Sequence, residues 1–191
     1  GASRYASRDL TDSIQSHIVN DIRRLYEPNW TRRGMWNQSY YEARVPKVPT
    51  MLLELLSHQN FADMRYGLDP RFRFTVSRAI YKGMLQFLAN QYKQDYVVQP
   101  LPVDHMSARF TKDTEVELTW QPVDDPLEPT AKAEQYIVYT RIGEGDFDNG
   151  ILVNKNSYRT NIPSGVICSY KVTAINKGGE SFPSEILSVG K

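Results

Sequence analysis

A chain of 191 residues in which 23 Lys and Arg stand against 22 Asp and Glu carries a formal charge of +1, which excludes the basic footprint of a nucleic-acid binder and a polybasic membrane anchor. One cysteine, Cys168, excludes an internal disulfide framework and any cysteine-based zinc cluster. No apolar run approaches the roughly 18 residues of a membrane span, and the start carries no signal-peptide pattern.

The chain opens Gly1-Ala2-Ser3 without Met, which reads as a processing scar, with the parent protein extending upstream to include an export signal and half of a domain. Aromatic residues make up 12%, with 12 Tyr; this suits a β-rich or carbohydrate-facing protein, and Tyr filling a β core is the simpler account. The hydrophobic period changes near residue 98, which divides the chain into residues 1–95, a linker over 96–101, and residues 102–191.

Leu10, Ile14, Ile18, Ile22 and Leu25 recur at helical spacing behind Ser7-Arg8-Asp9 and predict an amphipathic helix over residues 8–26, ended by Pro28, with Asp21 on its solvent side. A short strand is expected over 39–45. After Pro46 and Pro49, Thr50-Met51-Leu52-Leu53-Glu54-Leu55-Leu56 is apolar on both parities, the pattern of a strand covered on both faces. Asp69-Pro70 then starts a second helix to about residue 93, with Phe72, Val76, Ala79, Ile80, Gly83, Met84, Phe87 and Leu88 as one stripe. The first half thus reads as an α/β layer with too few elements to close its sheet, and the open edge implies a homodimer or an added strand.

Two prolines in Gln99-Pro100-Leu101-Pro102 make 96–101 read as an extended linker. Beyond it the period is 2: Val116, Leu118 and Trp120 alternate with Glu115, Glu117 and Thr119, and Cys168, Tyr170, Val172 and Ala174 form one face of a later strand. Turn residues at Gly143, Gly145, Asn149-Gly150, Pro163-Ser164-Gly165 and Gly178-Gly179 complete the pattern of an antiparallel β-sandwich.

Val116-Glu117-Leu118-Thr119-Trp120, then Tyr170-Lys171-Val172-Thr173-Ala174-Ile175-Asn176 and Gly178-Gly179-Glu180-Ser181, resemble the fibronectin type III family over residues 102–191. That family carries its Trp in the second strand, and the corner position four residues before Val172, commonly a tyrosine, is Cys168 here. By its parity Trp120 faces the core rather than a ligand. Tyr139, Phe147 and Tyr158 have two readings, as sandwich packing or as a sugar-stacking face.

Glu54 is the one charge inside an apolar run, a costly placement unless it is paired or hydrated. Two readings follow: a site carboxylate at a strand end, or a rim salt bridge with Arg44 or Lys47. Arg44 with Pro49-Thr50-Met51-Leu52-Leu53-Glu54, Asn60, Asp63, Asp69-Pro70-Arg71-Phe72-Arg73 and Ala79-Ile80 before Gly83 resemble the final third of the zinc-dependent N-acetylmuramoyl-L-alanine amidases over residues 7–92. The resemblance implies an incomplete three-layer α/β domain, and a parent hydrolase that cleaves the amide between muramic acid and L-alanine in peptidoglycan. It makes Glu54 the catalytic carboxylate that assists a zinc-bound water, and Arg44 a residue that orients it or the substrate. His58 lines the site mouth or is a solvated loop residue, and Asn60 and Asp63 cap a helix or touch substrate.

The family's zinc motifs, Gly-His-Gly and Ser-x-His-x-Asn, do not occur in this sequence, whose histidines are His17, His58 and His105. Zinc is therefore expected in the full-length parent and not on this chain, whose partners would be peptidoglycan or another cell-surface glycan and the upstream half of the amidase domain. A secreted, periplasmic or cell-surface location follows from the same resemblance. The alternatives are a non-catalytic polysaccharide-binding module of the cell surface, or part of another polysaccharide-degrading enzyme of the xanthan lyase type, though the residues supply no lyase chemistry.

Overall fold

The computed structural model describes residues 4–190, and the chain folds as two compact units, Gly1–Tyr96 and Val97–Lys191. The first contains helices α1 (Arg4–Leu25), α2 (Tyr41–Arg44), α3 (Phe61–Gly67) and α4 (Pro70–Tyr92). Among the described residues it has no strand, so the α/β sheet expected of this half is corrected to a helical layer. Residues 39–45 form the short turn of α2 rather than a strand. Residues 50–56 have no regular secondary structure and belong to no sheet; no second strand in this unit offers them a ladder.

The core of the unit lies between α1 and α4, where Ile14, Ile18 and Ile22 pack with Phe72, Val76 and Ala79. The helices approach so closely that a Cβ on Gly83 would lie 2.5 Å from the Ile14 Cα. Ser13 secures the same crossing by donating to the Gly83 carbonyl at 2.8 Å. Tyr26, Trp30 and Tyr66 close one end around Phe72, with ring centroids 5.1–6.4 Å apart, within the range of edge-on and tilted aromatic packing.

Asp21 is not on the solvent side. It is 5% exposed, and the 2% exposed Lys82 of α4 places its Nζ 2.8 Å from Asp21 Oδ2. Met84 and Leu88, expected in the core stripe of α4, are exposed, so the apolar residues of that helix fall on two faces rather than one.

The second unit is an antiparallel sandwich. Strands β1 (Asp104–Phe110), β2 (Glu115–Gln121) and β5 (Ser157–Asn161) form one sheet in the order β1-β2-β5. Strands β3 (Gln135–Ile142), β4 (Ile151–Val153), β6 (Cys168–Asn176), β7 (Gly179–Glu180) and β8 (Leu187–Val189) form the other, in the order β4-β3-β6-β7 with β8 also on β6. Val116, Leu118 and Trp120 of the first sheet meet Tyr136, Val138, Tyr170, Val172 and Ala174 of the second, the in-facing parity that the sequence predicts.

Cys168 is buried in that core. Beside it, burial pushes the Tyr170 phenol well above its ordinary pKa, and the Cys168 thiol adds to the shift. The segment expected as a free linker, 96–101, is instead largely part of the sandwich. Val98 and Pro100 are buried, Asn176 Nδ2 donates to the Val98 carbonyl at 2.9 Å, and a Cβ on Gly178 would sit 2.1 Å from the Val97 carbonyl oxygen. Prolines suit such an edge segment because they withhold no donor that a ladder needs.

Candidate functional site

Residues 50–56 run along the helical core without regular structure: Met51, Leu55 and Leu56 pack on the α1–α4 cluster, whereas Leu52, Leu53 and Glu54 are exposed. Thr50 is held at one end by its backbone N–H, which donates to Ser7 Oγ at 3.1 Å. At the other end the Ser57 N–H donates to Asp63 Oδ2 at 2.8 Å. Between these anchors residues 51–56 make no backbone hydrogen bond among the described residues.

Glu54 therefore stands in solvent rather than in an apolar layer. Among the described residues it has no ion-pair partner, so the rim salt bridge with Arg44 or Lys47 does not form. Arg44 lies in α2 with its guanidinium 5.9 Å from the Tyr41 ring centroid. His58 is exposed in the turn after the extended segment. Asn60 is the N-cap of α3, its Oδ1 accepting from the Ala62 N–H at 2.9 Å and the Asp63 N–H at 3.3 Å. Asp69 caps α4 in the same way, with Pro70 opening the helix. Hydrogen bonds from the Arg71 backbone, and then from its side chain, hold the Asp69 carboxyl below its ordinary pKa.

Among the described residues no group of three or more His, Cys, Asp and Glu is placed to hold a metal ion. His17, in α1, bonds Gln86 through Nε2 at 3.0 Å, and His105 lies in the other unit beside Asp104. The described side chains thus do not fit a zinc centre.

The sandwich rings weighed as a sugar-stacking face are otherwise engaged. Lys171 Nζ lies 4.4 Å from the Phe147 centroid and 5.2 Å from that of Tyr139, and the Arg141 guanidinium lies 5.0 Å from Phe147. Cations thus occupy ring faces that a sugar would need. The Tyr139 hydroxyl donates to Glu180 Oε1 at 2.6 Å, and this bond, then burial, pushes its pKa up to about 12. Tyr158 packs on the core.

On the outer face of the first sheet, Glu117 stands opposite both Arg109 and Arg159. It accepts from Arg109 Nε at 2.8 Å and Arg159 Nε at 2.9 Å. The Arg109 hydrogen bond, seconded by Arg159, holds the Glu117 carboxyl below its ordinary pKa. This is a cross-strand brace with its donors already spent.

The pair that sequence reasoning missed is Asp21–Lys82. Its signal was present, because Asp21 continues the Ile14, Ile18 series at a spacing of three and so falls on the core face.

No protein family matches the chain, and no curated protein matches it. Among solved structures, the chain is similar to the twitchin kinase region of C. elegans, at 21% identity and a TM-score of 0.43 over 48% of this chain and 16% of that one. It is similar to titin kinase with its flanking domains, at 23% and 0.42 over 50% and 18%, so it spans less than a fifth of either. A solution structure of a human fibronectin type III domain is similar at 21% and 0.43, over 49% of this chain and 79% of that one. About half of the chain is an all-β sandwich that resembles fibronectin type III domains.

Proposed function

We propose that the helical half is the closing part of a cell-wall hydrolase domain of the N-acetylmuramoyl-L-alanine amidase type, carried in front of a fibronectin type III-like module at the bacterial surface or periplasm. The observation that carries this reading is residues 50–56: an apolar segment that lays Met51, Leu55 and Leu56 on one helical layer, while residues 51–56 make no backbone hydrogen bond among the described residues. The order apolar segment, Asn60-capped helix, Asp69-Pro70 helix supports it, being the order of the motifs on which the resemblance rests.

In this reading the remaining strands, the second helical layer and the zinc ligands belong to an upstream half of the domain. Glu54 then changes surroundings. With a strand on either side and a layer over Leu52 and Leu53, it becomes the carboxylate at the strand's carboxyl end, where open sheets place their clefts. There it accepts a proton from the attacking water as general base. The fibronectin type III-like half serves as a spacer, since its outer faces are braced by their own ion pairs.

The test is hydrolysis of purified peptidoglycan by the longest natural polypeptide that contains this chain, with release of L-alanine-headed peptides as the readout. Glu54→Gln is expected to lower the rate at least about 100-fold, the low end for loss of a general base, while binding to insoluble peptidoglycan is retained. Hydrolysis unchanged by Glu54→Gln overturns the role of Glu54, and absence of any zinc-dependent release overturns the amidase reading.

A further inference from the structure

Asn60 by itself supplies the side-chain cap of α3, its Oδ1 accepting from the Ala62 and Asp63 N–H groups. The Asp63 carboxylate, in the first turn of that helix, reaches back past the cap instead, and its Oδ2 accepts from the Ser57 N–H at 2.8 Å. The Asn60 N–H donates to the Ser57 carbonyl at 3.0 Å, so both backbone groups of Ser57 are held by the start of α3. Leu56 packs against the same helix so closely that a Cβ on Gly67 would lie 3.2 Å from its Cδ1.

Helix α3 is in turn fixed to the core of the unit. The Tyr66 ring lies 5.2 Å from Phe72 and 5.4 Å from Trp30, centroid to centroid, and Phe72 is fully buried. An unbroken line of contacts therefore runs from the α1–α4 core through α3 to the backbone of Ser57, three residues beyond Glu54.

We infer that Asp63 is the positioning residue for Glu54, an inference that rests on the amidase reading of that carboxylate. Residues 51–56 make no backbone hydrogen bond among the described residues, so the first backbone group held beyond Glu54 is the Ser57 N–H. In the completed domain, ladder bonds hold the body of the strand, but Glu54 stands at its carboxyl end, where pairing stops and the cleft opens. A general base has to be held to within about 0.5 Å of its productive place. The ladder fixes Glu54 from one side only, and Asp63, through Ser57, fixes it from the other.

Amide exchange on this chain reads the anchor independently of any activity. The Ser57 N–H is expected to exchange at least about tenfold more slowly than the amides of residues 51–56. Asp63→Ala removes that difference, and Asp63→Asn, whose amide oxygen still accepts, keeps it. Helical circular dichroism is unchanged in both, because Asn60 retains the cap. In a longer polypeptide that carries the upstream half proposed above, Asp63→Ala lowers kcat for peptidoglycan hydrolysis about 10- to 100-fold with KM unchanged, the effect of misplacing a reacting group by about an ångström. Asp63→Asn restores most of that rate. A Ser57 amide that exchanges as fast as its neighbours, equal losses of rate in the Ala and Asn variants, or a loss confined to KM would each overturn the proposal and leave the amidase reading standing. Failure of the amidase reading shows differently, as absence of zinc-dependent release from the unsubstituted polypeptide.

Discussion

Replacing Lys82 by Ala is expected to destabilise the helical half by about 3–5 kcal/mol, the cost of leaving a buried carboxylate without its counter-charge. Lys82 and Asp21 are 2% and 5% exposed, and their Nζ–Oδ2 distance is 2.8 Å. Asp21 Oδ2 nevertheless has no partner in hydrogen-bond geometry, so the attraction that offsets desolvation is nearly all ionic. Domains have only about 5–15 kcal/mol of stability in total, and the six-residue core around Ile18 and Phe72 belongs at the low end. Lys82→Ala should therefore leave much of this half unfolded at room temperature. Asp21→Ala should do nearly as much harm by stranding the ammonium.

The double variant Asp21→Leu with Lys82→Met is expected to recover most of the loss, since apolar groups of similar volume satisfy the same space without desolvating charge. Urea denaturation followed by helical circular dichroism reads this half against a sandwich that contributes little helix signal. Single variants within about 0.5 kcal/mol of the parent chain, the usual effect of a surface change, would show the pair to be exposed in solution.

Gly83→Ala separates local preference from packing. Propensity alone predicts a gain of about 1 kcal/mol when glycine in a helix interior becomes alanine. The crossing predicts the reverse, because the new Cβ would lie 2.5 Å from the Ile14 Cα and 2.9 Å from its backbone nitrogen. Backbone atoms cannot rotate aside as a side-chain tip can. The helices must then separate, loosening Ile14, Ile18 and Ala79 and stretching the Ser13 bond to the Gly83 carbonyl. A loss of about 3 kcal/mol, the upper range for overpacking, is expected in the same denaturation experiment. A gain in stability would mean that α1 and α4 do not cross at Gly83.

The elements that were legible in the sequence are those whose packing partners are present among the described residues. The sandwich strands alternate because both of their sheets are present, and Trp120, Val172 and Ala174 meet as parity predicts. The α1 and α4 helices were legible from apolar spacing and from Asp69-Pro70. Residues 39–45 were misread because short runs of Tyr, Ala and Arg suit one helical turn as well as a strand.

Residues 50–56 are a different case. Their pattern asks for a strand covered on both faces, yet they form none, because a strand exists only with neighbours to pair. Periodicity reports what a segment requires, not whether the requirement is met. The single stripe read along α4 failed for a related reason: Met84 and Leu88 are close in sequence to Gly83 and Phe87, but a step of one residue turns the side chain about 100° around the helix. Asp21 was placed on the surface by its chemistry, although its spacing put it in the core; Lys82, its partner 61 positions along the chain, was the missing information.

Hydrogen exchange at residues 51–56 tests most directly whether this segment is a sheet strand awaiting its neighbours. In the chain by itself these amides should exchange as freely as unstructured peptide, while those of α1 and α4 are protected. In a longer polypeptide that carries the upstream half proposed above, the same six amides should become among the slowest to exchange, as an inner strand requires. Exchange that is equally fast in both would contradict the account, and so would protection already present in the isolated chain.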